Sequence, residues 1–291
     1  MEQFWDHLFE IELRLEHGLN PILLTEPALN PKPHREKSAE LLFERFNVPS
    51  MHAAAQPALA MFASVGRLSP SIVVDIGEDI SSVVPLYNEH VMDLSVVQLE
   101  VSGRALTEYM VGLLNARGLA FETAGEREVA RDIKESLGRV ALEYEEGTSS
   151  AEQQEYTMPD GQVVNVGSER FKCAEALFRP SLLGLSSLGI QEGVWRAIEE
   201  CDVDVRGEMY SKIILNGGST LFRGFKDRLV RELLALVPSG TRLNVSDPPE
   251  RKFSSWIGGS VVASLSNFQS KLISQEEYNE IGPVVVNWKC Y

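Results

Sequence analysis

The chain is short of cysteine, histidine and positive charge. Its three cysteines, Cys173, Cys201 and Cys290, are widely spaced and form no Cys-x-x-Cys pair. A set that is sparse and odd in number excludes a disulfide framework and points to a reducing compartment. The histidines, His7, His17, His34, His52 and His90, give no His-x-x-x-His spacing, so a zinc-site pattern is missing as well. Acidic residues outnumber basic ones 42 to 27, a formal net charge of −15. That balance argues against a nucleic-acid-binding surface and against adhesion to anionic membranes. No run approaches the roughly 18 consecutive apolar residues of a membrane span, so no membrane insertion is expected. The opening Met1-Glu2-Gln3-Phe4-Trp5-Asp6 is acidic and has no basic stretch of the kind that begins a signal peptide. A cytoplasmic protein is expected, with the nucleus as the alternative.

What is present is a globular composition in 291 residues, enough for two core-bearing domains. Phe4, Trp5, Leu8 and Phe9 give one face of an opening helix. Ile22 to Thr25 reads as a buried strand, and Ser50 to Ala54 as another short one. Arg35 to Phe46 is helical, and Gln56-Pro57 opens a helix through Met61 and Phe62. Ile72 to Asp75 is a buried strand ending in a carboxylate, and Ser82 to Tyr87 is its hairpin partner. Val96 to Val101 continues the β character. Leu106, Tyr109, Met110, Leu113 and Leu114 mark a helix, and a longer charged helix is expected from about Glu126 to Glu146. Gly147 to Gln154 is linker-like. Pro159-Asp160-Gly161 signals a turn between Tyr156-Met158 and Val163-Val164. Helix returns near Val194 to Cys201, and Ser274 with Glu277 forms a capping box. The order is mixed α/β.

The most informative stretch is Asn216-Gly217-Gly218-Ser219-Thr220. The apolar run Lys212 to Leu215 leads straight into it, and Phe222, Phe225, Leu229 and Leu233 follow at near-helical spacing. A strand, two glycines, a hydroxyl and a helix bring backbone close to a flat or anionic ligand. Taken alone this arrangement is common between strands and helices. A second motif stands beside it: Asp247-Pro248-Pro249-Glu250-Arg251-Lys252-Phe253-Ser254-Ser255-Trp256-Ile257-Gly258-Gly259-Ser260.

Together these two segments resemble the adenosine-binding signature and the C-terminal segment of the actin family. Colinear matches extend over nearly the whole chain: Leu23 to Glu26, Leu29 to Lys32, Glu126 to Glu128, Arg131 to Glu135, Pro159 to Val163, Cys201 to Arg206, and the terminal Lys289-Cys290-Tyr291. The resemblance implies the α/β actin/Hsp70-like ATPase fold. It places subdomain 1 over residues 1–63 and 254–291, subdomain 3 over 64–101 and 186–253, and subdomain 4 over 102–185. The match begins inside the family's pattern, so subdomain 2 and the first phosphate hairpin are expected to be absent. Subdomain 1 is then left with the strands at Ile22 and Ser50, an unstable remainder with an open edge.

The resemblance also implies an ATP or ADP site with Mg2+ in a cleft. Asp75 stands where the family orients metal-bound water, and Gln56 where it positions the attacking water. Gly77, Glu78 and Asp79 occupy the second phosphate hairpin, a backbone nest that needs glycine where φ is positive. Ile76 lacks a hydroxyl found there in the family. Asp79 replaces a glycine and is expected to carry a positive φ at about 1 kcal/mol. Its charge would repel a phosphate about 4 Å away by roughly 1–4 kcal/mol. Ser82 replaces a histidine that orders the attacking water. Gly217, Gly218, Ser219, Leu221, Phe222 and Lys252 match the adenosine side, with Gly103, Lys134 and Glu135 near base and ribose. From spacing alone, Arg131, Lys134 and Glu135 read as a solvated helix face. Phe62, Ala63, Ser64, Val262 and Leu265 match a cleft that accepts partner helices; plain packing of two helices accounts for them equally well.

The reading that follows is an actin-like cytoskeletal or complex-embedded structural protein with a partial ATP-binding cleft. Its hydrolysis is weak or absent, and its partners are other actin-family subunits or actin-binding proteins. The alternative is a conventional ATP-binding, filament-forming actin represented by an N-terminally incomplete chain.

Overall fold

The computed structural model describes residues 2–16, 18–64 and 69–290. His17, the start of the expected 64–101 segment at residues 65–68, and Tyr291 lie outside the described residues. The strands are β1 (Ile22–Glu26), β2 (Ser50–Ala55), β3 (Ser71–Ile76), β4 (Ser81–Tyr87), β5 (His90–Val91), β6 (Val97–Leu99), β7 (Gln154–Thr157), β8 (Val163–Val166), β9 (Ile213–Asn216), β10 (Val245–Ser246) and β11 (Ile273–Ser274). The chain divides into two compact units, Met1–Arg67 with Ser255–Tyr291, and Leu68–Ser254.

The smaller unit is built on the sheet β1-β2-β11, with β1 parallel and β11 antiparallel to β2. The expectation of a two-stranded remainder is corrected here: Ile273 and Ser274 pair with Met51 and Ser50 to make a third strand. The buried strand expected at Ile22 to Thr25 is corrected too. Ile22, Leu23 and Leu24 are only half-buried and Thr25 is exposed, because β1 is the outer strand of this sheet. The core lies against β2 and holds Trp5, Phe9, Phe43, Phe46, Met51, Tyr278 and Val286. Phe43 and Tyr278 stack at 4.5 Å. The helices Glu2–His7 and Lys32–Glu40 each continue into a wider turn, which carries Phe9 and Phe43, with Leu13 donating to Leu8 at 2.8 Å and Phe46 to Leu41 at 3.1 Å. Such π-type widening redirects the side chains that follow.

The larger unit has the sheet order β10-β9-β3-β4-β5, with β6 also on β4. The two central strands, β3 and β9, run parallel, and Ile72, Val74, Ile213 and Leu215 are fully buried in its core. The expected β segment from Val96 to Val101 shortens to Val97–Leu99. The long helix expected to reach Glu146 instead stops at Leu137, after starting from a Thr123–Glu126 capping box. Gly138 leaves the helix with an extended backbone, and a Cβ there would sit 2.4 Å from the Phe222 ring. A separate helix covers Tyr144–Ser149, which removes part of the expected linker. The Pro159-Asp160-Gly161 turn joins β7 and β8 as expected, and Gly161 has φ +86°. The Ser274–Glu277 capping box is present.

All three cysteines are free and buried. Burial pushes the Cys173 thiol up to about 12 and the Cys290 thiol up to about 11. Among the described residues no helix is long and apolar enough to cross a membrane.

Candidate nucleotide site

The Gly217 turn is built by a strand that ends against another strand. Asn216 closes β9 opposite Asp75 of β3. Gly217 then turns with φ +85°, where a Cβ would meet the Ile76 carbonyl oxygen at 2.3 Å. Both the dihedral and the close approach demand glycine. Thr220 donates its backbone N–H and its Oγ1 hydroxyl back to the Gly217 carbonyl, at 3.2 and 2.8 Å.

Arg251 joins this turn to the proline-rich loop. Its Nε donates to Thr220 Oγ1 at 2.9 Å and its Nη2 to the Thr220 carbonyl at 3.0 Å. Its Nη1 reaches the Asp247 and Pro248 carbonyls, and its own carbonyl accepts from the Gly217 N–H at 3.1 Å. Burial holds its guanidinium below the usual arginine range. Neither Arg251 nor Thr220 has an assigned role at the level of sequence. The only signal is that both fall within the two segments carrying the resemblance.

Lys252 follows Arg251, and its aliphatic stem passes over Gly218 at 3.8 Å from a built Cβ. Its Nζ lies 3.6 Å from Glu135 Oε2, both half-exposed. Ser219 is half-buried. Leu221 is exposed, whereas Phe222 is buried against Gly138 and belongs to the core.

A second cluster forms where the β3–β4 turn meets the helix Gly103–Asn115. The first two N–H groups of that helix, at Gly103 and Arg104, donate to the Gly77 and Glu78 carbonyls at 2.9 and 2.8 Å. The turn thus caps the helix, since Ser102 makes no side-chain cap. At Gly103 a Cβ would lie 2.7 Å from Glu78 Oε2 and 3.0 Å from Ser219 Oγ, so Gly103, Glu78 and Ser219 converge. Lys134 enters from the helix Ala124–Leu137. Its Nζ donates to the Gly103 carbonyl and to Thr107 Oγ1, both at 2.9 Å, and stands 4.0 Å from Glu78 Oε2. Burial lowers its pKa, and Glu78 works in the opposite direction. Lys134 is therefore not part of a solvated helix face, although Arg131 and Glu135 are.

The phosphate-hairpin expectation needs correction. Neither Gly77 nor Asp79 has a positive φ. The turn closes by the Gly77 N–H donating to the Ile80 carbonyl at 2.9 Å, and a Cβ at Gly77 would lie only 3.0 Å from that oxygen. The expected backbone penalty at Asp79 is absent. Its carboxylate is also paired: Arg104 Nε and Nη2 lie 2.7 and 2.6 Å from Asp79 Oδ1. Arg104 is a further residue the sequence did not single out.

Asp75 sits between Ser82 of β4 and Asn216 of β9. Burial of its carboxyl pushes the pKa up to about 6, against a lowering hydrogen bond from Asn216. Among the described residues no group of three His, Cys, Asp or Glu side chains is placed to hold a metal. In the smaller unit, Gln56 is half-buried at the start of the helix Gln56–Ser64, and its amide reaches Thr25 Oγ1 at 3.4 Å.

The five residues of the expected partner cleft all fall in the smaller unit. Val262 is buried with Leu59, Phe268 and Leu272, and Phe62 packs against that cluster. Ala63 and Ser64 are half-buried, while Leu265 is exposed. The helix Ser254–Ala263 packs so closely that a Cβ at Gly258 would lie 1.7 Å from the Leu59 carbonyl oxygen. Val262 and Phe62 are thus helix-packing residues, and Leu265 is the member on the surface.

The geometry collects two glycine turns, a lysine stem over one of them, and a buried lysine beside the other, 4.0 Å from the exposed Glu78 carboxylate. A family model described as Actin matches residues 1–291. The chain belongs to the actin family and has an actin-like α/β fold.

Proposed function

We propose that this protein is an actin-like structural subunit, cytoskeletal or embedded in a larger complex, that holds an adenine nucleotide mainly by its nucleoside side. The family generally binds ATP or ADP with Mg2+. The carrying observation is the contrast within one site. On the nucleoside side the Gly217 N–H donates to the Arg251 carbonyl and the Lys252 stem passes over Gly218. The phosphate turn is capped onto a helix and carries the Asp79–Arg104 ion pair.

The residues present fit a nucleoside. The Lys252 stem passes 3.8 Å from a Cβ built at Gly218, and Glu135 and Glu78 offer acceptors for hydroxyl groups. Mg2+ would rest on the phosphates and on Asp75 through water, since one or two carboxylates plus phosphates commonly suffice. When bound, the ion would neutralise phosphate charge. Asp75 would order that water only when ionised. With Ser82 in place of histidine, hydrolysis is slow or absent, at most a weak actin-type ATPase. The finer division into subdomains, and a place in the cytoplasmic cytoskeleton or nucleus among actin-family partners, belong to the same reading.

Titration of the purified chain with Mg-ATP and Mg-ADP tests it. ATP is expected to bind no more tightly than ADP, with little turnover. Micromolar or tighter ATP affinity together with hydrolysis on assembly would overturn it in favour of a conventional filament-forming actin. One observation favours that second reading: Asp79 has an unstrained backbone and is already neutralised by Arg104. The Asp79→Gly variant is expected to bind ATP about tenfold more tightly, because it removes a carboxylate and frees Arg104 for phosphate. Unchanged ATP affinity in that variant would show that the turn does not meet phosphate.

A further inference from the structure

Three arginines of the larger unit meet where the chain leaves the helix Ala124–Leu137. Arg139 donates its backbone N–H to the Arg170 carbonyl at 3.1 Å, and Val140 donates to the Arg223 carbonyl at 2.9 Å. Arg139 and Arg223 are partners in an isolated parallel β-bridge. Bridge partners set their side chains on the same side, with Cβ atoms about 5 Å apart. Arg170, on the helix Glu169–Glu175, is 3% exposed. Its Nε donates to the Gly167 carbonyl at 3.2 Å and its Nη2 to the Glu152 carbonyl at 3.0 Å. Its buried Nη1 has no hydrogen-bond partner. The Phe171 ring, 5.1 Å from the guanidinium carbon, offers a π face but no negative charge. Burial, and then the charge of Arg139, hold the Arg170 guanidinium below the usual arginine range, with Glu152 acting in the opposite direction.

The cluster is not neutralised from within. Neither Arg139 nor Arg223 makes an ion pair or a side-chain hydrogen bond among the described residues. The carboxylates of the same elements are engaged elsewhere. Glu169 accepts from the Gly167 N–H at 2.8 Å and lies 3.5 Å from Arg117, Glu175 pairs with Arg228 at 2.9 Å, and Glu143 pairs with Arg231. Like charges set opposite each other destabilise a β pair, and a buried charged donor without a partner costs more. On a chain of net charge −15, this is a local excess of the opposite sign. The donors indicate which anion it suits. A carboxylate is satisfied by the fork of one arginine, whereas several guanidiniums match a tetrahedral dianion with more acceptor oxygens. We propose that Arg139, Arg170 and Arg223 bind a phosphate group, free or carried by a small ester, apart from the residues of the nucleotide site. Arg170 supplies the buried charge, and the half-buried Arg139 and exposed Arg223 give the approach from solvent.

Calorimetric titration and thermal unfolding of the full chain test this at fixed ionic strength, without nucleotide or magnesium. The probes are inorganic phosphate and glycerol 3-phosphate, with acetate as the carboxylate control. Phosphate is expected to bind and to raise the unfolding temperature, and acetate is not. Glycerol 3-phosphate binding more tightly than phosphate would mark the ester as the source, and the reverse would mark the free anion. Arg139→Gln and Arg223→Gln should each weaken phosphate binding at least about tenfold, the loss of one charge-assisted contact. Neither side chain is in the core, so both variants keep the fold. A merely structural arginine would not produce the next result. In phosphate-free buffer Arg139→Gln should unfold at or above the wild-type temperature, because repulsion of Arg170 is relieved, and in saturating phosphate it should unfold below wild type. Phosphate affinity equal in wild type and both variants would overturn the proposal, as would the absence of phosphate binding by wild type. So would equal stabilisation by acetate, or Arg139-dependent binding confined to anionic vesicles.

Discussion

Two residues of the site carry the sharpest tests. Gly217 combines φ +85° with a 2.3 Å approach of a built Cβ to the Ile76 carbonyl oxygen. Gly217→Ala is expected to destabilise the larger unit by about 2 kcal/mol or more, from the left-handed dihedral plus the displaced strand end. Urea unfolding measures it, and a loss below about 0.5 kcal/mol would mean that the turn relaxes freely. Asp75 gives a pH test. Its folded pKa, about 6, lies above its ordinary value of 3.8 because the carboxyl is buried. The carboxyl therefore contributes stability that is complete below about pH 3.8 and is lost as pH rises through about 6. The stability difference between wild type and Asp75→Asn should shift by up to about 3 kcal/mol over that interval, in favour of the variant at neutral pH. A difference independent of pH would show the carboxylate to be well solvated.

At the scale of elements, what could be read in advance was periodicity and punctuation. The β3 and β9 strands, the helices beginning at Gln56 and Gly103, the Pro159-Asp160-Gly161 turn and the Ser274 cap follow from apolar spacing and turn chemistry. What escaped depends on neighbours distant in the chain. The helix beginning at Ala124 ends where Gly138 takes an extended backbone (φ −58°, ψ 139°) with the Phe222 ring packed against it, and the charged pattern continues regardless. The mild backbone of Asp79 follows from docking of its turn on the helix at Gly103. Arg251 looks like a surface arginine until its loop folds over Thr220. Ile22, Leu23 and Leu24 read as core from their apolar run, whereas pairing on one edge only leaves them half-buried. Hydrogen exchange should register this: β1 amides are expected to exchange faster than those of β2, which is paired on both sides. Equal protection of the two strands would contradict it.

At the scale of the molecule, two units carry separate cores, one around Phe43, Phe46 and Met51, the other around β3 and β9. Separate cores unfold separately unless they are strongly coupled. Calorimetry is expected to show two transitions, or a calorimetric enthalpy above the van't Hoff value; a single two-state peak would mean tight coupling. The burial of Cys173, Cys201 and Cys290 has a practical consequence at this scale. With thiols pushed up and enclosed, the native chain offers thiol-directed dyes nothing to attack. A single cysteine introduced at an exposed position such as Trp288 or Asp79 would become the sole labelling point. The protein is already the silent background that spectroscopic distance measurements ordinarily require engineers to create.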